Sequence, residues 1–170
     1  MDSLQIRKNS SGGTAIFRAA VSHDDGNTIL TSDGLSISRW NVDKEQVDDV
    51  HFEGDSERLV GIQSVSISPD GRLVATATGN QQIIVWEAES RKILGAPLEG
   101  HTDDICALNF SADSRMVVSG SDDQKVWIWS VDTKESQRES QGGPMEGHTD
   151  GVTAVCFRCI LTCCEFEDGI

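Results

Sequence analysis

The sequence predicts an all-β protein built from one antiparallel unit used several times, and three observations carry that prediction. Tryptophans at positions 40, 86 and 129 stand 46 and 43 residues apart, each closing a short alternating apolar run such as Gln82-Ile83-Ile84-Val85-Trp86 or Lys125-Val126-Trp127-Ile128-Trp129. Other landmarks keep nearly the same step. Ser68-Pro69-Asp70-Gly71-Arg72 returns 43 residues later as Ser111-Ala112-Asp113-Ser114-Arg115, and Leu98-Glu99-Gly100-His101-Thr102-Asp103 returns 47 residues later as Met145-Glu146-Gly147-His148-Thr149-Asp150. Between the landmarks lie period-2 strands and Asp-Gly or Asn-rich turns, with no extended helical period.

Met1 to Gly13 is polar and rich in Ser and Gly, and reads as a tail before the first unit. The first unit, about residues 14–57, holds the runs Ala15–Val21, Thr28–Thr31 and Leu35–Trp40, with turns at Asp24–Asn27 and Ser32–Gly34. Such pairs tolerate the positive φ of tight hairpins. The second unit, about 58–99, repeats the design with Gln63–Ile67, Leu73–Ala77 and Ile83–Trp86, and Ile93-Leu94 with Leu98 supplies a fourth strand. The third, about 100–146, runs Ile105–Phe110, Met116–Ser119 and Lys125–Trp129, followed by an expected surface loop over Asp132–Pro144. A fourth unit opens at 147–157. The pattern then breaks where a Ser-Pro-Asp-Gly turn is due, and 158–170 is a divergent Cys-rich tail.

Composition bounds the function. The 170 residues with 37% hydrophobic content supply one ordinary core. A formal charge of −14 opposes a nucleic-acid partner and suits a basic one. No apolar run reaches the roughly 18 to 20 residues that span a bilayer, so no membrane role is expected. The start Met1-Asp2-Ser3-Leu4-Gln5 is not a signal peptide, and the expected location is cytoplasmic, with the nucleus as the alternative. Four of the five cysteines crowd the last fifteen residues. Cys156 and Cys159 form one Cys-x-x-Cys, but the adjacent Cys163 and Cys164 do not readily share a tetrahedral ion and no His pair follows, so no metal or other cofactor is expected.

Gly-His, the Ser-Pro-Asp-Gly turn, Ser-Gly-Ser-Asp-Asp at 119–123 and the strand-ending Trp together resemble the WD-repeat family of β-propellers, over about residues 14–157. The tryptophans are followed by Asn41, Glu87 and Ser130, so no unit carries the Trp-Asp pair. The resemblance implies an incomplete propeller of three- to four-stranded blades. It also implies that a His, a Ser or Thr, an Asp and the Trp of one unit form a hydrogen-bonded chain that locks the blade. By position these are His101, Ser119, Asp123 and Trp129 in the third unit. The second offers Arg58, Thr76, Asn80 and Trp86, where only the hydroxyl and indole match, and the first keeps Trp40 and Asp33 with spacing off by one. His, Ser and Asp are also the types of a hydrolase triad, but no Gly-x-Ser-x-Gly elbow accompanies them, and no nucleotide-binding loop or His-Glu-x-x-His occurs. No enzyme activity and no catalytic residue are expected.

In the family, ligands meet the narrow end around the central channel. The matching positions here are Thr102, Asp104 and Asp122 of the third unit, Gly61 and Gly79 of the second, and Thr149 and Gly151 of the fourth. Asp104 and Asp122 read either as solvated turn residues or as an acidic patch for a basic peptide. Trp127 reads as packing against a neighbouring blade or as an anchor for a partner. Three blades and part of a fourth leave sheet faces uncovered, which predicts self-association or a longer propeller. The expected function is a non-catalytic protein-interaction scaffold. The alternative is the docking portion of a larger signalling protein or NTPase whose catalytic domain lies elsewhere, and a metal- or redox-responsive protein is a third class.

Overall fold

A computed structural model of the protein describes residues 18–21, 28–32, 37–41, 43, 46–50, 61–131 and 142–157. The N-terminal tail, the turns at 24–27 and 33–34, Arg58, most of the 132–144 loop and the 158–170 tail fall outside those residues. Eleven strands are described, and they form three successive antiparallel meanders. The first sheet runs in chain order through β1 (Arg18–Val21), β2 (Thr28–Ser32), β3 (Ile37–Asn41) and β4 (Gln46–Val50). The second runs through β5 (Ser64–Ile67), β6 (Leu73–Ala77), β7 (Gln82–Glu87) and β8 (Leu98–Glu99). The third holds β9 (Ile105–Phe110), β10 (Met116–Ser121) and β11 (Val126–Ser130), and Met145 bridges to Val126 where a fourth strand would lie. Together they are part of a β-propeller.

The repeated turns are built by their side chains. The Ser68 hydroxyl donates to Asp70 at 2.6 Å and accepts the Leu73 N–H at 2.8 Å, while the other bond of the Asp70 oxygen comes from the Arg72 N–H at 3.1 Å. Ser111, Asp113, Arg115 and Met116 repeat the arrangement at 2.5, 3.1 and 2.9 Å. The hydroxyl and carboxylate thus satisfy backbone donors that the tight turn leaves without strand partners. The left-handed corner is glycine in one copy, Gly71 at φ 69°, and Ser114 at φ 61° in the other.

The core lies between the sheets. Side chains of β6 and β7 alternate faces and both faces are covered, so Leu73, Val74, Ala75, Ile83, Ile84, Val85 and Trp86 are all buried. One face, with Val74, Ile84 and Trp86, packs with Leu30 and Ile37 of the first sheet. The other, with Leu73, Ala75, Ala77, Ile83, Val85 and Leu98, packs with Ile105, Phe110, Val117 and Trp129 of the third. The Trp86 and Trp129 indoles therefore look back toward the preceding sheet. Burying a side chain of this kind contributes about 1.5–3 kcal/mol.

Two details differ from the sequence reading. The first sheet has a fourth strand, β4, that was not assigned, since Gln46-Val47-Asp48-Asp49-Val50 carries two aspartates, a type depleted in strands. Residues 151–157, part of the opening of the fourth unit, pair with no other described strand; they lie against the third sheet, with the Val152 N–H donating to the Ser121 carbonyl at 2.9 Å.

Candidate functional site

The third sheet carries a continuous polar chain from its rim to its core. Asp123 lies 2.8 Å from His101 Nδ1, and His101 Nε2 lies 2.7 Å from the Ser119 hydroxyl. That hydroxyl also accepts the Trp129 indole N–H at 2.9 Å. The ionised Asp123 carboxylate can only accept, so the imidazole proton sits on Nδ1, facing it, and Nε2 accepts the Ser119 proton. The carboxylate is held in turn by the backbone N–H groups of Thr102, at 3.0 Å, and Lys125, at 2.9 Å. This ties the loop after β8 to the β10–β11 turn.

Burial dominates the imidazole and holds its pKa below the ordinary 6.5, against the hydrogen bond and charge of Asp123, so His101 is neutral. Burial pushes the Asp123 carboxyl up, but the hydrogen bonds from His101, Thr102 and Lys125 outweigh it and hold the pKa below 3.8. The hydroxyl that this neutral imidazole bonds is itself 0% exposed and already engaged by an indole. The arrangement ties the loop after β8, β10 and β11 together.

In the second sheet the Trp86 indole donates to Thr76 at 3.0 Å, and the Thr76 hydroxyl donates to the Ile84 carbonyl at 3.3 Å. The strand carbonyl receives the proton that Ser119 gives to the imidazole. Asn80 is exposed in its turn. In the first sheet Trp40 donates to Thr31 at 2.8 Å, a residue the sequence reading did not single out.

Trp127 stacks on Trp129 with ring centroids 5.1 Å apart and 13° between planes, and meets the His101 ring edge-on at 6.2 Å. It packs against the cluster shared by the second and third sheets. Its indole N–H is buried and has no hydrogen-bond partner. A Cβ on Gly100 would stand 3.0 Å from the Trp129 ring and 3.2 Å from that of Trp127, so the glycine lets the loop close over both indoles.

The rim positions fall into two groups. Asp104 and Asp122 are both exposed and are joined by the bond from the Asp122 N–H to the Asp104 carbonyl, 2.9 Å. Gly151 lies so close to the Asp122 carboxylate that any side chain on it would collide there. The Cys106 thiol, absent from the sequence prediction, donates to Asp122 at 3.2 Å. Gly61 and Gly79 approach each other through their backbones in the second sheet. Thr102 and Thr149 are exposed. Among the described residues, no group of three or more His, Cys, Asp or Glu is placed to hold a metal ion.

Comparisons with known proteins agree with this architecture. The family model described as "WD domain, G-beta repeat" matches residues 46–87 and 92–130. Both matches run from the outer part of one sheet through the third strand of the next. The general transcriptional corepressor TUP1 of Saccharomyces cerevisiae is 43% identical over 49 residues, 29% of this chain and 7% of that protein. The ribosome biogenesis protein WDR12 homolog of Drosophila sechellia is 35% identical over 85 residues, 46% of this chain and 20% of that one. Among solved structures, U3-55K superposes with a TM-score of 0.68 at 25% identity, over 85% of this chain and 43% of its own. The RRP9 WD40 repeats superpose with a TM-score of 0.67 at 25% identity, over 85% and 42%. The chain thus spans a fifth or less of these curated relatives and under half of the solved ones.

Proposed function

The chain belongs to the WD-repeat family of β-propellers, and from that premise we propose that it is a non-catalytic protein-interaction scaffold. Its binding surface is the rim of the third blade, and its partners carry Lys or Arg. The observation that carries this reading is that Asp104 and Asp122, both exposed, sit on adjoining turns joined by the bond from the Asp122 N–H to the Asp104 carbonyl. The chain's formal charge of −14 draws a basic partner in, and the paired carboxylates set its register. Thr102, Gly61, Gly79, Thr149 and Gly151 complete the surface. The interior network of His101, Ser119, Asp123 and Trp129, with Thr76 and Trp86 and with Trp40 in the other blades, serves only to hold that surface in place.

The relatives that match include a transcriptional corepressor and a ribosome biogenesis protein. Of the two locations open from the sequence, those descriptions favour the nucleus. The repeat lengths matched leave room for the other reading, in which this chain is the docking part of a larger signalling protein or NTPase. The test is binding to a peptide array of graded Lys and Arg content, comparing the wild type with Asp104→Lys/Asp122→Lys and with a control reversal at Glu89. Loss of the basic peptides in the double variant alone supports the rim. Unchanged binding in all three removes it.

A further inference from the structure

The rim of the third blade is held in part by a residue of the second. Asp104 and Ile105 share a peptide unit that is bonded on both of its edges. The Asp104 carbonyl accepts the Asp122 N–H at 2.9 Å, and the Ile105 N–H donates to the side-chain carbonyl of Gln63 at 3.1 Å. Gln63 stands just before β5, half-buried, and its own N–H is anchored on the Ala77 carbonyl at 2.9 Å. Its side chain therefore crosses from one blade to the next. The preceding peptide is fixed as well, since the Asp104 N–H donates to Asp103 Oδ1 at 2.9 Å. With both flanking peptide planes held, the two soft dihedrals of Asp104 are set, and with them the direction in which its carboxylate leaves the backbone.

The repeat that carries Ser68 onto Ser111 carries Gln63 onto Cys106, whose thiol turns to the Asp122 carboxylate within its own blade at 3.2 Å. The two equivalent positions thus converge on the two rim aspartates, Gln63 on the backbone beside Asp104 and Cys106 on the side chain of Asp122.

We propose that Gln63 is a positioning residue for the binding surface, acting through the Ile105 N–H to aim the Asp104 carboxylate at a Lys or Arg of the partner. This rests on the third-blade rim being the place where the partner binds. Ile105 is 0% exposed, so removing the Gln63 oxygen leaves its N–H without that acceptor in a place water does not reach. The peptide then tilts about its remaining bond to Asp122. Asp104 loses its fixed relation to Asp122, and affinity falls although no charge has been removed.

The test is a double-mutant cycle on the full chain, read as the Kd for a Lys-rich peptide. Gln63→Met keeps the length of the side chain, removes the amide oxygen and weakens binding about fivefold, the order of one hydrogen bond. Gln63→Glu keeps an acceptor at that reach and binds at least as tightly as the wild type. Asp104→Ala weakens binding by itself, and Gln63→Met adds no further loss in that background, because Gln63 acts through Asp104. Additive losses overturn the proposal, as does a Gln63→Glu chain as weak as Gln63→Met. Wild-type affinity in Gln63→Met, with Asp104→Ala weakened, overturns the role of Gln63 and leaves the rim standing. Wild-type affinity in Asp104→Ala removes the rim reading and the role of Gln63 with it. Peptide titration of the unaltered chain gives a second measurement that does not depend on any variant folding. The Ile105 amide and the Gln63 side-chain amide shift together with Asp104, and silence at both while Asp104 moves overturns the link.

Discussion

Trp40 donates its indole N–H to Thr31 across 2.8 Å although the two stand nine residues apart, while the equivalent pairs, Trp86 with Thr76 and Trp129 with Ser119, stand ten apart. Strand register explains the difference. In every blade the hydroxyl lies two residues beyond the one paired with the Trp: Ile29, Val74 and Val117 face Trp40, Trp86 and Trp129. The first hairpin is one residue shorter, so a search at fixed spacing misses Thr31, whereas a search on paired register finds it. This indole–hydroxyl bond recurs in all three blades, and among the described residues the imidazole–carboxylate extension is found in the third.

Removing the hydroxyl while keeping the shape therefore affects the blades unequally. Thr76→Val orphans a buried indole donor and should cost about 1–3 kcal/mol in urea unfolding. Thr31→Val should cost less, because Trp40 is half-buried and water can replace the acceptor. Equal costs at the two sites would contradict this account of the bond.

Acid should weaken the protein in two steps. A base whose pKa is held down in the folded state loses stability as pH falls below its unfolded value, so His101 contributes a decline that begins near pH 6.5. Asp123, also held down, contributes stability that is present above 3.8 and lost below it, and Asp70 and Asp113 act in the same direction. Stability measured by denaturant from pH 7 to 3 should fall throughout, and His101→Gln should remove the upper step. A wild-type stability that rises from pH 7 to 5 would mean a charged imidazole paired with Asp123.

The left-handed backbone at Gln81, φ 57°, and Gln124, φ 68°, lies at the same point of two successive hairpins. A non-glycine residue there is disfavoured by roughly 1–2 kcal/mol. Replacing either by glycine should stabilise the fold by about 0.5–1 kcal/mol once the greater freedom of the unfolded chain is set against the relief, read as a higher thermal midpoint. No gain at both positions would show that side-chain contacts compensate.

Gly120 sets how the fourth unit docks. A Cβ there would stand 2.6 Å from Val152 Cγ1 and 2.9 Å from the Val152 carbonyl oxygen, and backbone cannot move aside as a side chain can. Gly120→Val should release residues 151–157, read as faster amide exchange at Val152, while exchange in β5 to β8 stays unchanged.

Much of this was legible from the chain. The repeated Trp, Ser-x-Asp and Gly-His landmarks placed the sheets, and Ser119, His101 and Asp123 stood at the spacings that the structure brings into contact. What escaped depends on partners distant in sequence. β4 is specified by pairing with β3 and not by its own polar residues. The Cys106 thiol meets Asp122 only because β9 and β10 are neighbours.

The third-blade rim is the proposed binding surface, and backbone amide chemical-shift mapping with a Lys-rich peptide tests that assignment. Shifts concentrated at Thr102, Asp104, Asp122, Thr149 and Gly151, weakening as salt is raised, are the predicted result. Shifts confined to the outer strands β7, β8 and β11, or none at millimolar peptide, would contradict it.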